Sequence, residues 1–185
     1  MKLLYPLFLL FIHLSLTAQN ESNNPPHFLI EEEKFSPPVE AMIRQFEGGP
    51  VTPIIADDIF GNKVEINEYQ GIKTCMVFCN FKDGKNIELL DQFNQWTSSQ
   101  TKRIKIIFFV DDMKNELEHL TKEQVKNIHI IPNSKMLSEA VYGVEIGVPR
   151  LFFLDEMGNV QKVFPTSFFT QIQKLFLGLD QLVLQ

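Results

Sequence analysis

Two apolar runs of strand length dominate the hydrophobic pattern. Residues 74–81 (TCMVFCNF) and 104–110 (IKIIFFV) are apolar almost throughout, the pattern of strands buried on both faces. Between them Ile87, Leu90, Phe93 and Trp96 recur at steps of three, which predicts a helix over 87–96 with one apolar stripe. Residues 114–124 are helical by period through Leu117 and Leu120, 128–131 predict a short strand, and 136–142 a short helix. Runs 151–154 and 160–164 flank the turn Asp155-Glu156-Met157-Gly158-Asn159. They predict a β-hairpin in which Gly158 supplies the positive φ of a short loop. Pro149 has no backbone donor and belongs at the mouth of that hairpin's first strand. Residues 167–184 predict a closing amphipathic helix that Thr166 or Ser167 can cap. Upstream, 51–57 and 63–66 read as the arms of another hairpin around Asp58-Ile59-Phe60-Gly61-Asn62. This order predicts an α/β domain with a central mixed sheet flanked by helices and an N-terminal β-hairpin.

The first 18 residues (MKLLYPLFLLFIHLSLTA) stand apart. Lys2 precedes an apolar run from Leu3 to Leu16, and Ala18 stands before Gln19. That is the order of a secretory signal peptide, with cleavage expected after Ala18 and a periplasmic or secreted product. The run falls short of the roughly 20 apolar residues of a membrane-spanning helix, so no stable membrane insertion is expected after cleavage. An uncleaved anchor is the alternative, and no cysteine follows the apolar run to carry a lipid. Residues 19–47 read as a polar, proline-punctuated leader with an edge strand near 28–30, and 48–185 as the folded domain. Cleavage leaves 167 of the 185 residues, enough for one domain with its own core.

Charge narrows the partners. Without Lys2, 16 basic residues face 23 acidic ones, a net charge of −7, which disfavours nucleic acid. Seventeen phenylalanines against one tryptophan and three tyrosines point to an aromatic core.

The segment 143–164 (GVEIGVPRLFFLDEMGNVQKVF) is similar to the segment of thioredoxin-like proteins that carries a proline facing the redox site. A second stretch, with Pro53, Asp57, Gly61, Val64, Ile66, Tyr69, Gly71 and Lys73 in order, resembles the opening of TlpA-like thiol-disulfide oxidoreductases and AhpC/TSA peroxiredoxins. The resemblance spans about 49–184. It implies a thioredoxin-like fold, a cis bond at Val148–Pro149, and a groove there that holds an extended peptide or protein partner. It also implies a reactive thiol after the first buried strand, where a helix start favours the thiolate.

That thiol is missing. The corresponding loop reads Lys82-Asp83-Gly84-Lys85-Asn86-Ile87, and the chain's two cysteines are Cys75 and Cys79, upstream of it. The C-x-x-x-C spacing is similar to that of copper-binding Sco-like proteins, but their pair lies beyond the strand and no histidine stands in 148–164. On one strand, residues four apart are about 13 Å apart at about 3.3 Å each, and a disulfide needs Cα atoms within about 7 Å. Both are therefore expected as buried free thiols, with Cys79, nearest the strand end, the alternative catalytic residue. His27, His119 and His129 share no metal-ligand spacing, so neither metal nor cofactor is expected. Arg150 stands where relatives place threonine. It either reaches solvent or, with Lys85 and the helix start at Asn86, holds an anion. The expected binding groove comprises Val148, Pro149, Arg150, Gly84, Lys85 and Asn86. Two functions stay open: an exported domain without thiol catalysis, acting as a binding or accessory module, or a thiol-disulfide oxidoreductase or peroxidase using Cys79 alone.

Overall fold

The computed structural model describes residues 36–82, 85–101, 103–144 and 149–185. The expected signal peptide, most of the leader with its edge strand near 28–30, and the Val148–Pro149 bond lie outside these residues.

At the centre is β3 (Lys73–Cys79), buried at every position. It pairs in parallel with β4 (Ile104–Val110) and antiparallel with β6 (Arg150–Leu154). Beyond β4 lies β5 (Ile128–Ile131), parallel to it, and beyond β6 lies β7 (Val160–Phe164), antiparallel. The sheet order is β5-β4-β3-β6-β7, and a separate two-stranded sheet joins β1 (Ile55–Asp57) to β2 (Lys63–Glu65). Both expected hairpins are present. Gly158 takes φ 81°, and Asp155 Oδ1 accepts from the Met157 and Asn159 N–H groups at 2.9 and 2.8 Å.

Side chains alternate across a strand, so the central sheet has two apolar faces. Met76 and Phe78 belong to the face covered by the β1–β2 hairpin, Tyr142 and a first helix, α1 (Pro37–Phe46). Cys75, Val77 and Cys79 fall on the other face. There α2 (Lys85–Ser99) sets Phe93 edge-on to Phe108, and Phe176 of α5 (Ile172–Leu184) edge-on to Phe93.

Three expectations need correction. Helix α1 lies inside the stretch read as leader. Two prolines start it, Ile43 is buried, and Phe46 stacks on Tyr142 (5.8 Å) and meets Phe152 edge-on (5.3 Å). Proline at the first helical positions favours a helix start rather than a loop. Its exit then covers the sheet edge: Gly48 N–H donates to Val160 O, Val160 N–H to Gly49 O, and Val163 N–H to Glu47 Oε1. Residues 114–124 form one 3-10 turn (Lys114–Leu117) rather than a helix. Thr121 and Gln124 exchange side-chain-to-backbone bonds, closing a local turn in competition with helix continuation. The closing helix breaks at Gln171 (φ −128°, ψ 62°) into α4 (Ser167–Thr170) and α5. That break lets Phe168 pack on Phe164 while Leu175 and Leu179 enter the core. A short helix α3 (Lys135–Ala140) stands where 136–142 predicts one.

Phe46→Ala tests whether α1 belongs to the folded domain. Losing a partly buried ring with two aromatic neighbours should lower stability by about 2–3 kcal/mol, measured by urea denaturation. A loss below about 0.5 kcal/mol, the size of an ordinary surface change, would place α1 outside the cooperative unit.

Candidate functional site

The loop after β3 is where the chemistry is expected, and its ends are held by side chains. Asp112, buried at the end of β4, accepts the Phe81 N–H on Oδ2 at 2.8 Å. Asn86, buried in the first turn of α2, donates from Nδ2 to the Asn80 carbonyl at 2.7 Å. Phe81 is itself buried, tilted 6.0 Å from Phe108. Lys82 reaches Glu116 at 3.8 Å across an exposed surface, a pair that contributes little. Asp83, Gly84 and the Lys85 side chain lie outside the described residues.

Both cysteines are free and buried in β3. Cys75 has no exposed surface and Cys79 only 4%. Burial pushes the Cys75 thiol far above its ordinary pKa, the reverse of what a nucleophile needs. Cys79 is the last strand residue, its carbonyl accepting the Asp111 N–H at 3.3 Å.

Arg150 does not snorkel to solvent; it is only 8% exposed. Register places it opposite Phe78, so it shares the face on which α1 packs. Its Nη1 donates to the Gly143 carbonyl at 3.1 Å and lies 3.6 Å from Met42 Sδ of α1. Asn86 donates to the Asn80 carbonyl. Pro149 is held from behind, its carbonyl accepting from Thr166 Oγ1 at 3.0 Å. That bond uses the hydroxyl expected to cap the closing helix, and Thr166 makes no cap. Val148 lies outside the described residues.

Sequence reasoning missed a second polar cluster. Asp58 is buried in the β1–β2 turn. Its Oδ1 accepts from the Phe60 and Asn62 N–H groups, while Asn62 Nδ2 and His129 Nδ1 meet Oδ2 at 2.9 and 3.0 Å. Burial works to raise its pKa, but the bonds to His129, Asn62 and Phe60 outweigh it and hold the carboxyl below its ordinary value. The His129 ring lies over Tyr69 at 6.5 Å, and Lys105 Nζ sits 5.1 Å from the same ring. The turn sequence Asp58-Ile59-Phe60-Gly61-Asn62 signalled an Asp-capped turn; nothing local links it to His129.

The fold is shared with several solved structures. The pneumococcal exposed lipoprotein thioredoxin of Streptococcus pneumoniae is 16% identical with a TM-score of 0.52, covering 67% of this chain and 99% of its own. A thioredoxin domain of a Bacteroides vulgatus thiol-disulfide oxidoreductase is 15% identical with a TM-score of 0.51, covering 70% and 97%. The mitochondrial 2-Cys peroxiredoxin of Plasmodium falciparum is 12% identical with a TM-score of 0.57, covering 75% and 94%. No family model and no curated protein matches the sequence. At these identities the likeness establishes the thioredoxin-like fold. Among the described residues no helix is long and apolar enough to cross a membrane.

Two outcomes follow from these contacts. Both thiols should react with a maleimide roughly a thousandfold more slowly in native protein than in denaturant, because labelling needs local opening; rapid native labelling of Cys79 would show an accessible thiolate. For Asp58 the folded pKa lies below the unfolded one, so its contribution is complete above the unfolded value of about 3.9 and is lost as pH falls through the folded value. Asp58→Asn should therefore lower stability at pH 7 and flatten its fall between about pH 4 and pH 2. Urea midpoints across that range check this; an unchanged acid slope would remove Asp58 from the account.

Proposed function

We propose that this chain is an exported thioredoxin-like domain without thiol-disulfide catalysis, serving as a binding or accessory module in envelope redox or protein-folding processes. The observation that carries the reading is the position of the sulfur. Both cysteines are strand residues facing the core, and the loop that precedes α2 contains none. A thiol needs solvent access and a thiolate-favouring environment to attack a disulfide or peroxide, and Cys75 has neither.

Export rests on the signal-like order of residues 1–18, with Ala18 as the cleavage position, and draws support from the exposed lipoprotein thioredoxin among the proteins of similar fold. The partner is an extended peptide or protein lying along the edge at Pro149, where relatives of the fold hold a substrate strand. Main-chain bonding along such an edge supplies affinity independently of any thiol. Arg150 then acts as a structural clamp: it ties the start of β6 to Gly143 and to α1. The alternative, catalysis by Cys79 alone, draws on its place at the very end of β3.

Insulin-reduction and peroxide-consumption assays on the purified protein separate the two. The proposal expects rates no higher than the uncatalysed background, in parent and Cys79→Ser alike. Turnover that disappears in Cys79→Ser would establish the enzyme reading instead.

A further inference from the structure

At the opposite end of β4 from the loop described above, a cavity of about 540 Å³ opens between the end of α2 and the starts of β4 and β5. Its volume falls in the range of small-molecule sites, about 300–1,000 Å³. Arg103, Lys105 and Lys126 line it together with His129, and the remaining lining includes threonine, glutamine and asparagine side chains, with no carboxylate among the described residues. In a chain with 23 acidic against 17 basic residues, that local balance runs against the composition.

Lys105 Nζ lies over the Tyr69 ring at 5.1 Å, but among the described residues no carboxylate forms an ion pair with Arg103, Lys105 or Lys126. Burial and the neighbouring Arg103 charge both lower the Lys105 pKa, so two like charges are held together at some cost. Two carboxylates are bonded to residues near the cavity: Asp180 accepts from Trp96 Nε1 and Gln100 Nε2, and Asp58 Oδ2 meets His129 Nδ1 at 3.0 Å. The negative end of the α2 dipole attracts cations weakly, but two of its last carbonyls, those of Trp96 and Thr97, already accept from Ser99 Oγ and the Gln100 N–H. His129 completes the set. Asp58 fixes its ring through Nδ1, which leaves Nε2 as the nitrogen able to meet a ligand.

We propose that this cleft binds a phosphate-bearing small molecule, with Arg103, Lys105 and Lys126 receiving the phosphate oxygens and His129 adding a fourth polar contact. Arginine suits bidentate oxyanion recognition, and lysine adds point charge. The cavity exceeds what a single phosphate fills, so the ligand carries further polar groups towards Gln100 and Asn127.

The test is a titration of the full chain with pyrophosphate at low ionic strength, following backbone amide shifts. Saturable shifts should concentrate at 103–105 and 126–129. Arg103 and Lys126 are exposed, so the double variant Arg103→Gln, Lys126→Gln should fold normally and bind about tenfold or more weakly, given the strength of charge-assisted hydrogen bonds. Citrate provides the second arm: it should bind clearly more weakly than pyrophosphate. No saturation up to about 10 mM, weaker than any useful affinity, would overturn the site. Undiminished binding in the double variant would overturn the residue assignment, and citrate binding as tightly as pyrophosphate the phosphate class.

Discussion

Every residue of Lys73–Cys79 is buried and paired with β4 on one side, and Thr74 to Phe78 are paired with β6 on the other, with apolar side chains above and below. Such a strand has no free edge and no solvent face, so each side chain on it is committed to packing. Two of those side chains are the only thiols in the chain. Lys73 shows how strict the demand is. It enters the sheet at 5% exposure, and its Nζ reaches the Leu182 carbonyl at 2.7 Å near the end of α5, giving the charge a partner and that carbonyl a donor.

The same constraint shapes the ends of the sheet. Where β3 stops, its register with β6 sets Arg150 beside Phe78, and a permanent cation has to be accommodated next to an aromatic core. The molecule does this by turning the guanidinium towards Gly143 and α1. Helix α1 is thereby more than a lid over apolar surface: it helps house the cation and, through Glu47 and Gly48–Gly49, bonds the edge of β7 that would otherwise be open. Open edges invite association with other strands.

How much of this was legible depends on the range of the determining contacts. The buried runs of β3 and β4, the two hairpins and the Gly158 turn follow from local pattern and turn chemistry, and they stand where the residues place them. Apart from the local turn that Thr121 and Gln124 close, the failures are cases in which a distant contact decides. Nothing within 37–46 announces that Phe46 will meet Tyr142 and Phe152. Thr166 is a sound cap by local rules, yet its hydroxyl goes to Pro149, 17 residues earlier in the chain. Arg150 reads as a surface cation until the strand register buries it. His129 shows the same limit at the second cluster, since its partner Asp58 lies 71 residues away.

The two ends of β4 consequently differ in kind. At its C-terminal end the Asp112 carboxylate accepts the Phe81 N–H, and neighbouring Asp111 has its pKa raised by burial and by Asp112 and Glu139. At the N-terminal end Arg103 and Lys105 gather beside Lys126, with no carboxylate among the described residues of the cavity wall. Six residues of strand separate these ends, about 20 Å at 3.3 Å each, well beyond the Debye length of about 8 Å at physiological salt. Exposed charges at one end therefore do little to neutralise those at the other. Counter-charge for the basic cluster has to come from nearby: Asp58, bonded to His129, is one local source, and the cavity in front of the cluster is the space proposed for an anion.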